Sequence, residues 1–198
     1  MFISFEGIDK SGKTTQVNLL AKFLTEKSYP VLLTKEPGGT KIGEKIKKIL
    51  LEDSQVSPLA ELFLYLADRH QHVEKVIKPS LKVGKVVISD RYADASLAYQ
   101  GYGRGLGIEF VKKLNQKVTD GIMPDITFLL DLEPEKTMPR ANRFDRIEKE
   151  KLTFHRRVRE GYLEMANFEP QRFKVIRADT TVYKIHEKVK SVISEYLK

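Results

Sequence analysis

The stretch FISFEGIDKSGKTTQ, Phe2 to Gln16, decides how the rest of the chain is read. An apolar run, Phe2–Phe5, leads into Gly7, four residues, and then Gly12, Lys13 and Thr14. That is the G-x-x-x-x-G-K-[ST] spacing of a phosphate-binding loop, which needs a strand before it and a helix after it. Phe2–Phe5 supplies the strand, and KTTQVNLLAKFL supplies the helix, with Leu19, Leu20, Phe23 and Leu24 along one stripe. Backbone N–H groups at such a helix start face an anion and are helped by the helix dipole. A chance match in a chain of ordinary glycine usage is on the order of 1%. Gly7, Ile8, Asp9, Lys10, Ser11, Gly12, Lys13, Thr14 and Thr15 are therefore read as an ATP-holding loop. Lys13 would reach the outer phosphates and Thr14 would ligate Mg²⁺. Asp9 is a further candidate for the metal or a substrate hydroxyl, and Lys10 is a base that the motif does not demand.

Working outward, four more short apolar runs follow: Val31–Thr34, Val86–Ser89, Ile126–Leu130 and Phe173–Ile176. Their near-continuous β-branched character marks strands covered on both faces. Helical patterns separate them. Leu59 to Ile77 reads as one long helix ending before Pro79; Ile108–Val118, Phe154–Met165 and Ile185–Leu197 read as others. Strand–helix alternation predicts a three-layer α/β fold, a five-stranded parallel sheet flanked by helices with right-handed crossovers. EPGGT and GYGRGLG read as turns, no stretch reads as a linker, and 1–198 is expected to be one domain.

Composition narrows the function. Thirty-five Lys and Arg against 27 Asp and Glu leave a net charge of +8, which suits an anionic ligand but by itself describes a solvated basic surface. The absence of cysteine excludes a disulfide framework, a thiolate metal site and a thiol nucleophile. The opening MFISFEGID has no basic leader, and no apolar run reaches membrane length, so a cytoplasmic protein without a membrane partner is expected.

Three further constellations carry chemistry. In SDRYADASLAYQGYGRG, Asp90 and Arg91 stand at the end of the third strand, the edge where open α/β sheets bind ligands. Asp90 is placed for Mg²⁺ or its waters, and Arg91 for bidentate contact with a second phosphate. In LYLADRH, Tyr65 and Arg69 are four apart and share a helix face, an arrangement that can stack a base and fix its edge. RANRFDRIEKE gathers Arg140, Arg143 and Arg146, a segment able to neutralise charge over a phosphate site.

Together these residues resemble the thymidylate kinase family. The likeness runs in order through FEGIDKSGKTTQ, EPGGTKIGE (Glu36–Glu44), the helix carrying Arg69, DRYADASLAYQGYGRG, PDITFLLDLEPE, DRIEKE and REGYLEMA. The resemblance implies a P-loop domain with a short Arg-rich lid, approximately 139–149, that moves the γ-phosphoryl group of ATP to dTMP with Mg²⁺. By matching position it implies that Tyr65 stacks on thymine, where relatives more often carry Phe, and that Arg69 contacts the ring. Ser96 and Gln100 meet the base's polar edge, and Tyr99 crowds the sugar and disfavours ribose. Arg91 holds the dTMP phosphate, Asp9 lies near the sugar and the metal, and Glu36 and Pro37 belong to the turn beside the acceptor phosphate. Lys35 stands where bacterial relatives usually carry Arg. The ATP adenine would rest against the lid and the loop after strand five, at Asp179, Thr180 and Thr181. A homodimer is implied as well, with no nucleic-acid partner.

The family keeps its catalytic arginine either in the P-loop or in the lid. Here Lys10 fills the loop position while the lid carries three arginines, so Lys13, Arg91, Lys10, Arg143 and Arg146 form the catalytic set. Two alternatives stay open on sequence: a kinase for another deoxynucleotide or nucleoside, and a basic P-loop protein that binds nucleic acid with ATP as a switch.

Overall fold

The computed structural model describes residues 1–52, 55–137 and 145–197. Five strands form one parallel sheet: β1 Phe2–Glu6, β2 Val31–Lys35, β3 Val86–Asp90, β4 Ile126–Asp131 and β5 Phe173–Arg177. Their order across the sheet is β2-β3-β1-β4-β5. Each strand runs one residue past its apolar run, to Glu6, Lys35, Asp90, Asp131 or Arg177. Those polar residues stand at the carboxyl edge of the sheet, where Glu6 is fully buried and Lys35 and Arg177 are exposed. Register fixes that edge, with Phe5 and Lys35 both opposite Asp90, Glu6 opposite Leu129, and Asp131 opposite Arg177.

The central strands β1, β3 and β4 are covered on both faces, as their unbroken apolar runs predict, but the edge strands β2 and β5 are not, and they leave Leu33 and Val175 exposed. All five β1 residues are buried. Ile3 and Phe5 join the larger core with Leu20, Leu66 and Phe128; Phe2 packs on the other side with Val73, Ile77, Val87 and Tyr92. Because β1 lies between β3 and β4, the sheet order reverses beside it, and the crevice at its carboxyl end is the topological place for a ligand.

Helices α1 Lys13–Glu26, α6 Ile108–Thr119, α7 Leu152–Phe168 and α8 Val182–Tyr196 lie where periodicity predicts them. Three elements depart from expectation. The helix read as ending before Pro79 runs on: α3 Pro58–His72 passes through a π-helical Val73–Ile77 into α4 Lys78–Lys82. The π turn resets the hydrogen-bond register, so Pro79 falls in the first turn of the next stretch, where no N–H is needed. Helix α2, Lys41–Glu52, follows the EPGGT turn and buries only Gly43 and Leu50, too narrow a stripe to read in isolation. Residues read as glycine punctuation are helical too, α5 Ala93–Ser96 continuing as a π helix through Leu97–Gly103. Gly103 is there for close approach: a Cβ would sit 2.7 Å from Phe154 Cε2 of α7. No helix among the described residues is long and apolar enough to cross a membrane.

Candidate active site

The P-loop begins where β1 leaves the sheet. Gly7 has φ +134°, and a Cβ there would stand 2.5 Å from the Leu130 carbonyl oxygen of β4. Only glycine lets the chain turn over its neighbour at that point. Gly12, also left-handed, hands the chain to α1. Inside the loop Lys13 is 6% exposed and donates from Nζ to the Ile8 carbonyl at 2.8 Å. Burial, with the neighbouring Arg91 charge, pushes Lys13 down to about 8 against the pull of Asp9, Asp90 and Glu6. Ser11 Oγ is buried and, among the described residues, has no hydrogen-bond partner. A loop holding a desolvated cation and an unmatched hydroxyl fits a phosphate chain.

The donor set suits Mg²⁺. Thr14 Oγ1 donates to Asp90 Oδ2 at 2.5 Å, so one hydroxyl and one carboxylate from two elements share a point beside the loop. Among the described residues no group of three or more His, Cys, Asp or Glu could cage a metal. Mg²⁺ needs no such cage, because it binds through one or two protein oxygens, phosphates and waters. Asp9, the third metal candidate, is turned elsewhere: Oδ1 accepts from Arg91 Nη2 at 2.5 Å and Oδ2 from the Tyr99 hydroxyl at 3.0 Å.

Arg91 leaves β3 with φ +72°, a strained backbone that aims its side chain back over the P-loop. Its guanidinium donates to the Gly7 carbonyl at 2.9 Å, to Asp9, and to the Tyr99 hydroxyl at 3.1 Å. Burial works against the Asp9 charge, but Arg91 and Lys13 outweigh it and hold that carboxyl far below the usual range. The Tyr99 phenol, driven up by burial against the pull of Arg91, remains a donor.

A cavity of about 690 Å³ opens above these groups. Asp9, Lys10, Gly12, Lys13, Thr14, Thr15, Asp90 and Arg91, from the P-loop and the end of β3, line it together with Tyr65, Ser96, Tyr99 and Gln100. Lys35, Glu36 and Pro37 close one side. Most residues named from sequence thus converge. Lys47 and Leu51 of α2 and Ala95, Asp145 and Ile147 line the cavity too and were missed; the lysine-rich face of KIKK was the available signal for Lys47.

Other residues named from sequence are engaged elsewhere or lie outside the cavity lining. Arg69 does not line the cavity. It is 1% exposed and donates to Glu36 (2.8 Å), Ser96 (2.8 Å), Asn115 (2.7 Å) and the Tyr92 carbonyl (3.0 Å). A guanidinium buried behind the wall requires those acceptors, and it reaches the cavity through Ser96 and Glu36. Glu36 lines the cavity, yet Oε2 accepts from Arg69 and Oε1 faces His72 Nδ1 at 2.9 Å, which ties the turn to α3. Arg146 is likewise committed: Nη2 donates to Glu61 at 2.6 Å and Nε to the Leu50 carbonyl at 2.8 Å, because buried Glu61 needs a counter-charge. Arg140 and Arg143, with Pro139 and the first part of the lid, lie outside the described residues. Asp179, Thr180 and Thr181 are absent from the cavity lining. Thr181 caps α8, and Gln16 of α1 donates to the Val182 carbonyl at 2.9 Å, which holds that loop beside the P-loop helix.

Lys10, with φ +63°, lines the cavity and pairs with Glu148 of the lid turn at 3.1 Å. It joins loop to lid at the phosphate end. Lys10→Ala is expected to lower kcat by about tenfold with a smaller change in the acceptor KM. Steady-state kinetics check this, and an unchanged kcat would leave charge neutralisation to other residues.

Behind the EPGG turn, Asp68 Oδ1 accepts from the Gly38 N–H at 3.2 Å while, among the described residues, Oδ2 has no partner. Burial and the nearby Glu36 push Asp68 up to about 6. A carboxyl raised on folding contributes its stability below the unfolded value near 4 and loses it as pH rises through 6. Asp68→Asn keeps the acceptor and removes the charge. The variant should match wild type at pH 4 and exceed it by up to about 3 kcal/mol at pH 8 in urea unfolding. Parallel pH dependence of the two proteins would refute this.

A P-loop opening a helix, whose own carboxylate holds an arginine from the end of the neighbouring strand, is the arrangement found in P-loop nucleotide kinases. The thymidylate kinase family model matches residues 5–189. Thymidylate kinase from Halothermothrix orenii is 50% identical over 196 residues, covering 96% of this chain and 94% of that protein. The enzyme from Thermoanaerobacter sp. strain X514 is 46% identical over 199 residues, covering 99% and 98%. A crystal structure of thymidylate kinase from Ehrlichia chaffeensis is similar at 40% identity and TM-score 0.81, covering 98% of both chains. The chain belongs to the thymidylate kinase family, and dTMP phosphorylation on the way to dTTP is the activity that membership assigns to it.

Proposed function

We propose that the γ-phosphoryl group of Mg²⁺-bound ATP passes to the phosphate of dTMP within the 690 Å³ cavity, giving dTDP and ADP. The observation that carries this reading is the Asp9–Arg91–Tyr99 cluster, in which the donor loop itself fixes the acceptor-side arginine. The loop from Gly7 to Thr15 holds the triphosphate, and the loop at Asp179–Thr181 flanks the adenine. Thr14 and Asp90 would hold Mg²⁺, which would neutralise charge on the phosphates. Arg91 grips the acceptor phosphate, Tyr65 stacks on thymine, and Ser96 and Gln100 meet its edge. Tyr99 fills the space a ribose 2′-hydroxyl would need.

No general base is required. A nucleoside monophosphate has a second pKa near 6 and is already dianionic at pH 7. The residues then have two tasks, to align two anions and to offset their repulsion, which is worth several kcal/mol even at an effective dielectric of about 20. The test is ADP release with Mg²⁺–ATP against dTMP, dUMP, dCMP, ribothymidine monophosphate and thymidine. The highest kcat/KM is expected with dTMP. Activity confined to thymidine, or no dependence on acceptor, would overturn the assignment.

The same reading makes 1–198 one domain, cytoplasmic and homodimeric, without nucleic-acid or membrane partners. The dimer is supported by exposed apolar residues on three neighbouring helices: Ile42 and Ile49 on α2, Leu59 and Phe63 on α3, and Phe110 on α6. Such a patch on a monomer is unusual and suits a second copy.

A further inference from the structure

The base end of the cavity rests on one carboxylate. Glu61 of α3 is 0% exposed and meets three side chains from two segments of the chain. Its Oε1 accepts from Gln100 Nε2 at 2.8 Å and Arg104 Nε at 3.2 Å; its Oε2 accepts from Arg104 Nη2 at 3.0 Å and Arg146 Nη2 at 2.6 Å. A carboxylate paired with two guanidinium groups can only accept. Gln100, 1% exposed and lining the cavity, must therefore turn its amide N–H₂ toward Glu61. The two ends of an amide read opposite patterns. A carbonyl oxygen left to the cavity accepts from the N3–H of a 4-oxo pyrimidine and repels the N3 lone pair of a 4-amino pyrimidine. The flipped amide would do the reverse.

We propose that Glu61 is a positioning residue that fixes the Gln100 amide with its oxygen toward the base and thereby makes the cavity select 4-oxo over 4-amino pyrimidine monophosphates. The inference rests on the reading of the Tyr65–Gln100 end as the base subsite. Arg104 and Arg146 act through Glu61 by keeping both its oxygens occupied as acceptors. Arg146 also carries the lid turn, so the same carboxylate seats the lid against the base reader.

The test is Glu61→Gln, whose own amide can donate or accept and so releases the Gln100 flip. The KM of dTMP and the inhibition constant of dCMP against dTMP are measured in wild type, Glu61→Gln, Gln100→Leu and the double variant. The dCMP-to-dTMP ratio should fall at least about tenfold in Glu61→Gln, and the same substitution should leave it unchanged when Gln100 is already Leu. A parallel loss for both nucleotides, or an equal change in the Gln100→Leu background, would mean that Glu61 is only structural. If circular dichroism shows Glu61→Gln unfolded, Glu61→Asp withdraws the carboxylate while keeping its charge. Its ratio should fall too, and an unchanged ratio would overturn the proposal. A wild-type protein with no dTMP turnover would instead refute the functional reading itself.

Discussion

Replacing Lys13 with alanine is expected to lower kcat by about 10³-fold or more, the largest effect of any single change in this site. The Lys13 ammonium is almost fully buried, donates to the Ile8 carbonyl, and feels the charges of Asp9, Asp90 and Glu6. On the proposed reading, bound phosphates would offset the cost of that burial. That coupling has a pH signature. Burial and Arg91 push Lys13 down to about 8 in the ligand-free protein, and bound phosphates push it back up. ATP binding should take up a proton near pH 8, and affinity should weaken as pH rises through that value. Calorimetry in buffers of different ionisation enthalpy reads the proton directly. Proton release, or a modest loss of activity in Lys13→Ala, would contradict this role.

Arg91→Lys is expected to cost about 10²-fold in kcat/KM for dTMP, roughly 3 kcal/mol, through both KM and kcat. The guanidinium spans the Gly7 carbonyl, Asp9 and the Tyr99 hydroxyl, three contacts in different directions from one planar group. A lysine ammonium carries the charge but cannot hold that fork while meeting a phosphate. ATP affinity measured alone should change far less, since the donor loop keeps Lys13 and its backbone N–H groups. Equal losses for ATP and dTMP would instead mark Arg91 as a brace for the P-loop.

Most of the fold was legible because the chemistry is local. Five strands of near-continuous apolar residues and one phosphate loop leave few arrangements of an α/β chain. What escaped reading depends on partners distant in sequence. The segment Ala93–Gly103 ends in Gly101 and Gly103, yet it is helical to its end, where Gly103 lies against Phe154 of α7. Pro79 does not stop its helix because a π turn ahead of it shifts the register.

The site was legible at the level of residue type and only partly at the level of contact. The P-loop, Asp90, Arg91, Tyr65, Ser96, Tyr99 and Gln100 gather as expected. Arg69 and Arg146 do not, and the cause lies in buried carboxylates that sequence spacing cannot reveal. Glu36 claims Arg69 from 33 residues away, and Glu61 claims Arg146 from 85. Two arginines named for ligands thus build the walls that orient Ser96 and Gln100.

The claim that two anions are aligned and transfer follows without an enzyme base is tested most directly by the single-turnover rate of dTDP formation against pH. The rate should rise with one ionisation near pH 6, that of the dTMP phosphate, and stay flat between pH 7 and 8. A rate that keeps climbing tenfold per pH unit above 7 would require a base in the cavity and would contradict the mechanism.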